Sequence, residues 1–134
     1  YLEQHGTPAE PSELQQHHTV THTAQGPAVT WAFRNAQGKP LEVTVRSRLA
    51  ASSSALVHHA LVGGAGIGML SCPLAAADAA QGRLVEVLAP FASRTVHTLY
   101  AVSSPGRRNA ARVKAVIDFL VKASKDRWAL APVR

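Results

Sequence analysis

The sequence predicts an α/β fold, in which helices and strands alternate along the chain. Two observations support this prediction. Residues 29–34 and 41–46 alternate apolar and polar side chains with the period of two typical of strands, and residues 113–121 repeat apolar side chains at helical spacing. The segments between them switch from one period to the other, which favours a layered α/β domain over a helix bundle or a β-sandwich.

The composition is that of one globular domain. Of the 134 residues, 46% are hydrophobic and 16% are charged, which places the chain outside the disordered class. Because only 5% are aromatic, Ala, Val and Leu must form most of the core. No apolar run reaches the roughly 18 residues that a membrane-spanning helix needs, and we expect no membrane association.

The cysteine content and the first residues bear on the cellular setting. Cys72 is the only cysteine, which excludes an intrachain disulfide and a cysteine-based zinc site and fits a reducing cytoplasm. Residues 1–5 show no signal-peptide pattern, and the chain does not begin with methionine. We therefore expect a cytoplasmic protein whose chain begins upstream of Tyr1.

The first half of the chain predicts a short helix and a β-hairpin. Pro11 and Ser12 lie just before residues 13–17, and proline followed by a Ser-x-x-Gln pattern is typical of a helix start. Residues 29–34 and 41–46 predict two strands, joined by turn residues. The inward side chains of this hairpin are predicted to be Val29, Trp31, Phe33, Leu41, Val43 and Val45.

The middle of the chain predicts two short helices and one strand. Helical spacing begins at Ser52, whose neighbouring hydroxyls could act as N-caps, and it ends at Gly63–Gly64, since glycine adopts the left-handed conformation of many helix ends. Residues 67–70 follow as a short buried strand. Residues 73–80 form a second helix, which opens on a proline and stops before Gly82.

The last third predicts two more strands and the most regular helix. Residues 84–88 and 95–102 are predicted strands, and a turn follows at residues 103–106. Asn109 is the expected N-cap of the final helix. The apolar face of that helix comprises Val113, Val116, Ile117, Leu120 and Val121.

The glycine-rich residues 63–68 invite comparison with a phosphate-binding loop. In that motif a strand precedes the glycines and a helix follows them, so that helix N–H groups point at the phosphate. Here the predicted helix comes first and the strand second, and no Gly-Lys-Ser/Thr follows. The pattern favours a helix stop with close backbone packing over nucleotide binding, and no cofactor is expected.

Ser52, Ser53 and Ser54 offer hydroxyls for either catalysis or ligand binding. A nucleophile at Ser54 would use His58 or His59 as its base, but no Gly-x-Ser-x-Gly elbow surrounds any serine. Hydroxyls and free N–H groups at a helix start instead suit a carboxylate or another anion. The sequence therefore favours a binding site without catalytic residues, and an α/β-hydrolase fragment is the least favoured alternative.

The histidines and the basic residues predict no further site. The side chains of adjacent histidines diverge, and no cysteine set is available, so no metal site is expected. The net charge of +6 includes a basic cluster late in the chain, but acidic residues interrupt it and no helix-turn-helix pattern is visible. We expect no direct DNA binding by these residues.

Five motifs, in order along nearly the whole chain, carry a resemblance to a known family. They are Tyr1 to Pro8 with Pro11 to Leu14 and His17, the hairpin with Trp31, Phe33 and Gly38, Ala60 to Leu70, Gly82 to Leu88, and Leu99 to Val102 followed by Arg112 to Leu120. The chain resembles the C-terminal part of the effector-binding (substrate-binding) domain of LysR-type bacterial transcriptional regulators.

The resemblance implies a periplasmic-binding-protein-like (type 2) fold that is incomplete in this chain. Residues 1–94 would form the second subdomain, and residues 95–134 would supply the strand and helix that return to the first. The family's DNA-binding domain would lie outside this chain. Uncovering part of the apolar face of the final helix would cost several kcal/mol at ~25 cal/mol per Å², so we expect dimerisation or further residues to cover it.

The family holds its effector in a cleft between the two subdomains. By resemblance, the matching positions here are Ser52, Ser53, Ser54, Gly64, Gly66 and Ile67. They would orient a polar or anionic small-molecule effector, and its binding would control DNA binding and transcription elsewhere in the protein. We expect a homo-oligomer without enzyme activity, and the alternative is a fragment of a periplasmic-type solute-binding protein.

Overall fold

The computed structural model describes residues 1–22, 28–92, 102 and 111–128, with side chains described up to residue 123. The chain divides into two compact units, Tyr1–Arg94 and Thr95–Arg134. The first unit contains a four-stranded mixed sheet with helices around it, and the described part of the second contains a helix. The predicted α/β class is therefore confirmed.

The first 21 residues form two short helical turns and a strand. Helix α1 (Leu2–His5) and a 3-10 helix (Pro11–Gln16) precede strand β1 (Thr19–Thr21). The Tyr1 hydroxyl ties them together, because it accepts the backbone N–H of His18 at 2.9 Å. The predicted short helix is thus present in its 3-10 form, whereas β1 is too short to give a periodic signal in the sequence.

The sheet is built around one long strand. Strands β2 (Ala28–Arg34) and β3 (Pro40–Ala50) form the predicted hairpin in antiparallel register. Beyond the end of its hairpin partner, β3 pairs in parallel with β1, and β1 pairs in parallel with β4 (Ile67–Gly68). The strand order is β2-β3-β1-β4, so β3 joins an antiparallel half to a parallel half.

Two apolar clusters hold these halves. The first takes the inward side chains of the hairpin, as predicted, and comprises Leu14, Trp31, Phe33, Val43, Val45, Ile67 and Leu88. The second lies against the parallel half and comprises Val20, Ala51, Val57 and Leu61. Removing this apolar surface from water is the main source of the stability of the unit.

Two helices of nine residues each follow the parallel strands. Helix α2 (Ser54–Val62) ends before Gly63, and Gly64 adopts φ 76°, as expected for a helix stop. Helix α3 (Cys72–Ala80) ends two residues before Gly82, which adopts φ 70°. Both helices therefore follow the prediction, although the N-cap of each makes no side-chain hydrogen bond, contrary to the hydroxyl capping expected for α2.

A buried carboxylate joins the two helices. Asp78 of α3 lies 2.7 Å from Nε2 of His58 on α2 and accepts Nε–H of Arg83 at 2.6 Å. The hydrogen bonds from Arg83 and then from His58 hold the pKa of Asp78 below its usual value, although burial opposes the shift. Both oxygens of this buried carboxylate are paired, which keeps the last turn of α3 close to α2.

Two predicted strands differ in the structure. Residues 84–88 form no strand, because no described segment pairs with them. Instead Leu84 packs against the second cluster and Leu88, at φ 58°, is buried in the first. The predicted strand 67–70 is shortened to Ile67–Gly68, since Met69 turns outward and is half exposed.

Helix α4 (Ala111–Trp128) confirms the predicted final helix. On its apolar face Val113 and Ile117 are half-buried, whereas Val116 and Leu120 are 57% and 49% exposed. The predicted turn 103–106, Asn109, and strand 95–102 apart from Val102 lie outside the described residues. None of the described helices combines the length and hydropathy needed to cross a bilayer.

Candidate functional site

Three parallel strands end at one edge of the sheet, which we call the carboxyl edge. Because β1, β3 and β4 run in the same direction, the residues that follow them meet there. These residues are His22 after β1, Ser52–Ser54 after β3 and Met69–Ser71 after β4. In open α/β sheets ligands bind at this edge, where loops from neighbouring strands converge on one molecule.

A cavity of about 90 Å³ lies at the carboxyl edge. Its lining combines one imidazole, two hydroxyls and four apolar side chains: His22, Ser54, Val57, Met69, Leu70, Ser71 and Leu74. Sites for drug-sized ligands measure roughly 300–1,000 Å³. The cavity can therefore enclose only part of such a ligand, and it is shaped as one wall of a larger site.

Two helix N-termini point at this cavity. Helix α2 begins at Ser54, and helix α3 begins directly after Ser71. The first N–H groups of a helix have no partner within it, and they carry partial positive charge. In α3, Pro73 has no N–H and Leu74 donates to the Ser71 carbonyl, which leaves the N–H of Cys72. Because neither Ser53 nor Ser71 caps its helix through its side chain, their hydroxyls and the first N–H groups of α2 are also available to a ligand with oxygen atoms.

The structure separates the six predicted site residues into two groups. Ser52, Ser53 and Ser54 lie exposed at the carboxyl edge, and Ser54 lines the cavity. Gly64 and Gly66 lie between the opposite end of α2 and β4, and Ile67 is the first residue of β4. A nine-residue helix is about 14 Å long, so the two groups do not share one cavity. We call the second position the amino edge.

At the amino edge, Gly66 and Ile67 serve close packing. Gly66 adopts φ 146°, and a Cβ added to it would lie 2.2 Å from the backbone oxygen of His18. Ile67 donates its N–H to the same oxygen at 2.9 Å, and its side chain is buried in the first apolar cluster. Gly64 instead lines a separate groove with His18 and Arg48.

The arrangement around His58 gives Ser54 no base. Nε2 of His58 is engaged by Asp78, and no hydrogen bond joins Ser54 to His58 among the described residues. A serine nucleophile requires a hydrogen-bonded base. The His58–Asp78 pair therefore acts as a structural link, and the described residues also hold no group of three or more potential metal ligands.

Sequence reasoning identified Ser54 but missed the remainder of the cavity. Its other lining residues follow β1 or β4 or lie in the first turns of α2 and α3, and their convergence depends on the parallel pairing of β1 with β3 and β4. The available signal was the rule that loops after parallel strands share an edge. That rule could not be applied to β1, since three residues give no detectable period.

The chain matches known proteins along almost its whole length. The LysR substrate binding domain family matches residues 1–125. The HTH-type transcriptional regulator CrgA of Neisseria meningitidis serogroup C is 34% identical over 122 residues, covering 91% of this chain and 40% of CrgA. The HTH-type transcriptional regulator PtxR of Pseudomonas aeruginosa is 32% identical over 111 residues, covering 83% of this chain and 35% of PtxR. The chain thus spans 40% or less of these curated relatives.

Solved structures share the fold. The structure of CrgA from Neisseria meningitidis superposes with a TM-score of 0.79 at 34% identity, covering 92% of this chain and 41% of that chain. The CrgA regulatory domain gives a TM-score of 0.77 at 34% identity, covering 91% and 59%. Full-length AphB of Vibrio cholerae gives 0.59 at 28% identity, covering 68% and 31%. These likenesses confirm the resemblance carried by the five sequence motifs and the periplasmic-binding-protein-like fold, of which this chain covers a part.

Proposed function

The chain belongs to the LysR substrate binding domain family, and from this premise we propose that it senses a small-molecule effector and so controls DNA binding and transcription by a LysR-type regulator. The observation that carries the proposal is the carboxyl edge, where two helix N-termini and the serine hydroxyls face one cavity. Such a wall binds and orients a ligand without reacting with it, and the protein is accordingly proposed to have no enzyme activity.

The chemistry of this wall favours an effector with oxygen atoms and an apolar body. N–H groups and hydroxyls at the starts of α2 and α3 stabilise a carboxylate or another polar group. Val57, Met69 and Leu74 offer apolar contacts for the remainder of the molecule. We therefore propose small organic acids as the effector class, with Ser52 and Ser53 beside Ser54 as further contacts.

The proposal assigns separate roles to two parts of the chain. Residues 1–94 act as the second subdomain and supply the wall described above, and residues 95–134 return to the first subdomain. DNA contact belongs to residues outside this chain, in a protein that works in the cytoplasm. The alternative, a periplasmic-type solute-binding protein, is less well supported because CrgA and PtxR are named transcriptional regulators.

We propose that the apolar face of α4 mediates self-association. Val116 and Leu120 are 57% and 49% exposed, and large apolar side chains that lie together on a surface commonly mark an interface. We expect the chain to sediment as a dimer or larger species, and Leu120→Lys to shift it toward the monomer. Lys114→Ala, on the same helix, serves as the control. A monodisperse, stable monomer in sedimentation velocity would contradict this expectation.

Thermal-shift screening tests the sensing proposal. Small aromatic and aliphatic carboxylic acids are titrated against the chain, and at least one is expected to raise the melting temperature in a saturable manner. Ser54→Ala should weaken the affinity for that acid about tenfold, the amount expected for loss of a hydrogen bond to a charged group. Arg46→Gln, which removes an exposed charge outside the cavity, should leave it unchanged. An equal response from Ser54→Ala, or no response to any acid, would contradict the proposal.

A further inference from the structure

The amino edge carries a groove that the sensing role does not use. The groove measures about 400 Å³ and is lined by His18, Arg48, Leu49, Gly64 and Ala65. It lies beyond the C-terminal end of α2, whereas the carboxyl-edge cavity lies at its start. The two cavities share no lining residue, so a ligand of one does not contact the other's side chains.

A bulge directs Arg48 into this groove. In the parallel pairing of β3 with β1, Thr19 lies opposite Ser47 and Val20 lies opposite Leu49, which leaves Arg48 as the extra residue. Bulges are rare between parallel strands, and they commonly redirect a side chain next to a functional site. The redirected guanidinium reaches across to the residue before β1, where its Nη1 lies 2.6 Å from Nε2 of His18.

The contact between Arg48 and His18 fixes the protonation of the imidazole. A guanidinium can only donate hydrogen bonds, so the ring nitrogen of His18 at 2.6 Å must accept and the ring must be neutral. When His18 takes up a proton, that nitrogen becomes a donor and the contact is lost. Two cationic donors then face the groove with no acceptor between them.

The surroundings of His18 are basic. On α1 the ring of His5 lies 5.3 Å from that of His18, and the ring of Tyr1 lies 5.9 Å away. His17 precedes it, and Arg48 faces it from β3. Partial burial and then the charge of Arg48, with smaller effects of His5 and His17, hold the pKa of His18 below its usual value.

The described part of the chain places no acidic side chain in the groove beside His18 and Arg48. No carboxylate lines the groove, and Arg48 forms no ion pair with any described residue. A guanidinium without a carboxylate partner, directed into a cavity beside an imidazole, provides the planar donors that oxyanions bind best.

We propose that the amino-edge groove is a second binding site, which takes a small oxyanion between Arg48 and protonated His18. The ligand class is an organic sulfate, phosphate or carboxylate, whose oxygens replace His18 as the acceptor for Arg48. The apolar part of the ligand lies against Leu49 and Ala65. Because protonated His18 adds a charge-assisted hydrogen bond to the ligand, oxyanion binding favours proton uptake and strengthens as the pH falls.

Nuclear magnetic resonance titration with sodium sulfate tests this site, since sulfate keeps its charge across the pH range used. Ionic strength is held constant with sodium chloride, and the titration is run near pH 5 and near pH 8. Saturable shifts are expected at the amides of Arg48, Gly64 and Ala65 and at the His18 ring. The apparent affinity should be about tenfold higher at the lower pH, as the gain of one charge-assisted hydrogen bond implies. Trifluoroacetate, an ionised carboxylate, replaces sulfate in a parallel series and shows which oxyanion the groove prefers.

Three variants distinguish a specific binding site from a general effect of positive charge. Arg48→Gln should weaken sulfate binding about tenfold or more, whereas Arg46→Gln, which removes an equal charge from the same strand, should not. His18→Gln should abolish the pH dependence, and the amide spectrum of each variant shows that it remains folded. Two results would overturn the proposal: chemical shifts that change linearly with sulfate concentration, or equal sulfate affinities of Arg48→Gln and Arg46→Gln. Either would show that these cations serve only to stabilise the C-terminal end of α2.

Discussion

The two edges of the parallel half of the sheet differ in the source of their positive charge, which is the backbone at one edge and side chains at the other. At the carboxyl edge, α2 and α3 begin, and backbone N–H groups with serine hydroxyls face a cavity of about 90 Å³. At the amino edge, α2 ends, and the side chains of Arg48 and His18 line a groove of about 400 Å³. Helix N-termini favour anions and helix C-termini favour cations.

The difference follows from the direction of the parallel strands. A helix that follows a parallel strand always begins at the carboxyl edge, so donors there come from the backbone and depend little on the side chain present. At the amino edge the helix offers only carbonyl groups, and positive charge must come from side chains. The first edge should therefore tolerate substitution better than the second.

The largest expected effect follows from adding a methyl group at the amino edge. Gly66→Ala places a Cβ 2.2 Å from the backbone oxygen of His18 and forces an alanine to φ 146°. We expect a loss of about 4 kcal/mol in the free energy of unfolding, or failure to fold. Gly64→Ala is the matched control, because its Cβ meets no atom within 4 Å although its φ is also positive, at 76°. It should cost only about 1 kcal/mol, and equal losses in urea denaturation would contradict the packing role assigned to Gly66.

A smaller effect is expected from the link that supports the carboxyl edge. Asp78→Asn removes the charge that pairs with His58 and Arg83, and it should lower the melting temperature at neutral pH. Because the pKa of Asp78 is lowered in the folded state, its charge stabilises the fold above the unfolded pKa, and this contribution is lost as the pH falls through the folded value. The difference between wild type and variant in calorimetry should therefore shrink below about pH 4. A difference that stays constant with pH would show that the carboxylate charge is not the cause.

The smallest effect is expected from the Ser71 hydroxyl at the carboxyl edge. Ser71→Ala removes this hydroxyl from the cavity but leaves the N–H of Cys72 at the start of α3 in place. Affinity for an acid identified by thermal shift should fall about fivefold or less, since one hydrogen bond is lost and the helix terminus remains. Isothermal titration calorimetry measures this change, and a loss of a hundredfold would show that the hydroxyl outweighs the backbone.

The sequence predicted elements with strong periods and missed those that depend on distant pairing. The hairpin around Trp31 and Phe33 and helices α2 and α4 were recognisable because their apolar side chains repeat at strand or helix spacing. Helix α3 was recognisable from the proline at its start and the glycine after its end. Strand β1 was not, since all three of its residues are buried and show no alternation. The serines and glycines at the two ends of α2 were assigned to one site by the family resemblance. Without β1 the direction of β4 was unknown, so nothing in the sequence separated the two groups.

Mapping the bound acid on the chain tests the central claim most directly. The amide spectrum is followed while a carboxylic acid that raises the melting temperature is added to the wild-type chain. We expect saturable chemical-shift changes concentrated at the amides of Ser54, Met69 and Ser71, and these changes should persist in Arg48→Gln. Shifts confined to Gly64 and Ala65, or shifts that disappear in Arg48→Gln, would place the acid at the amino edge and contradict the assignment of effector sensing to the carboxyl edge.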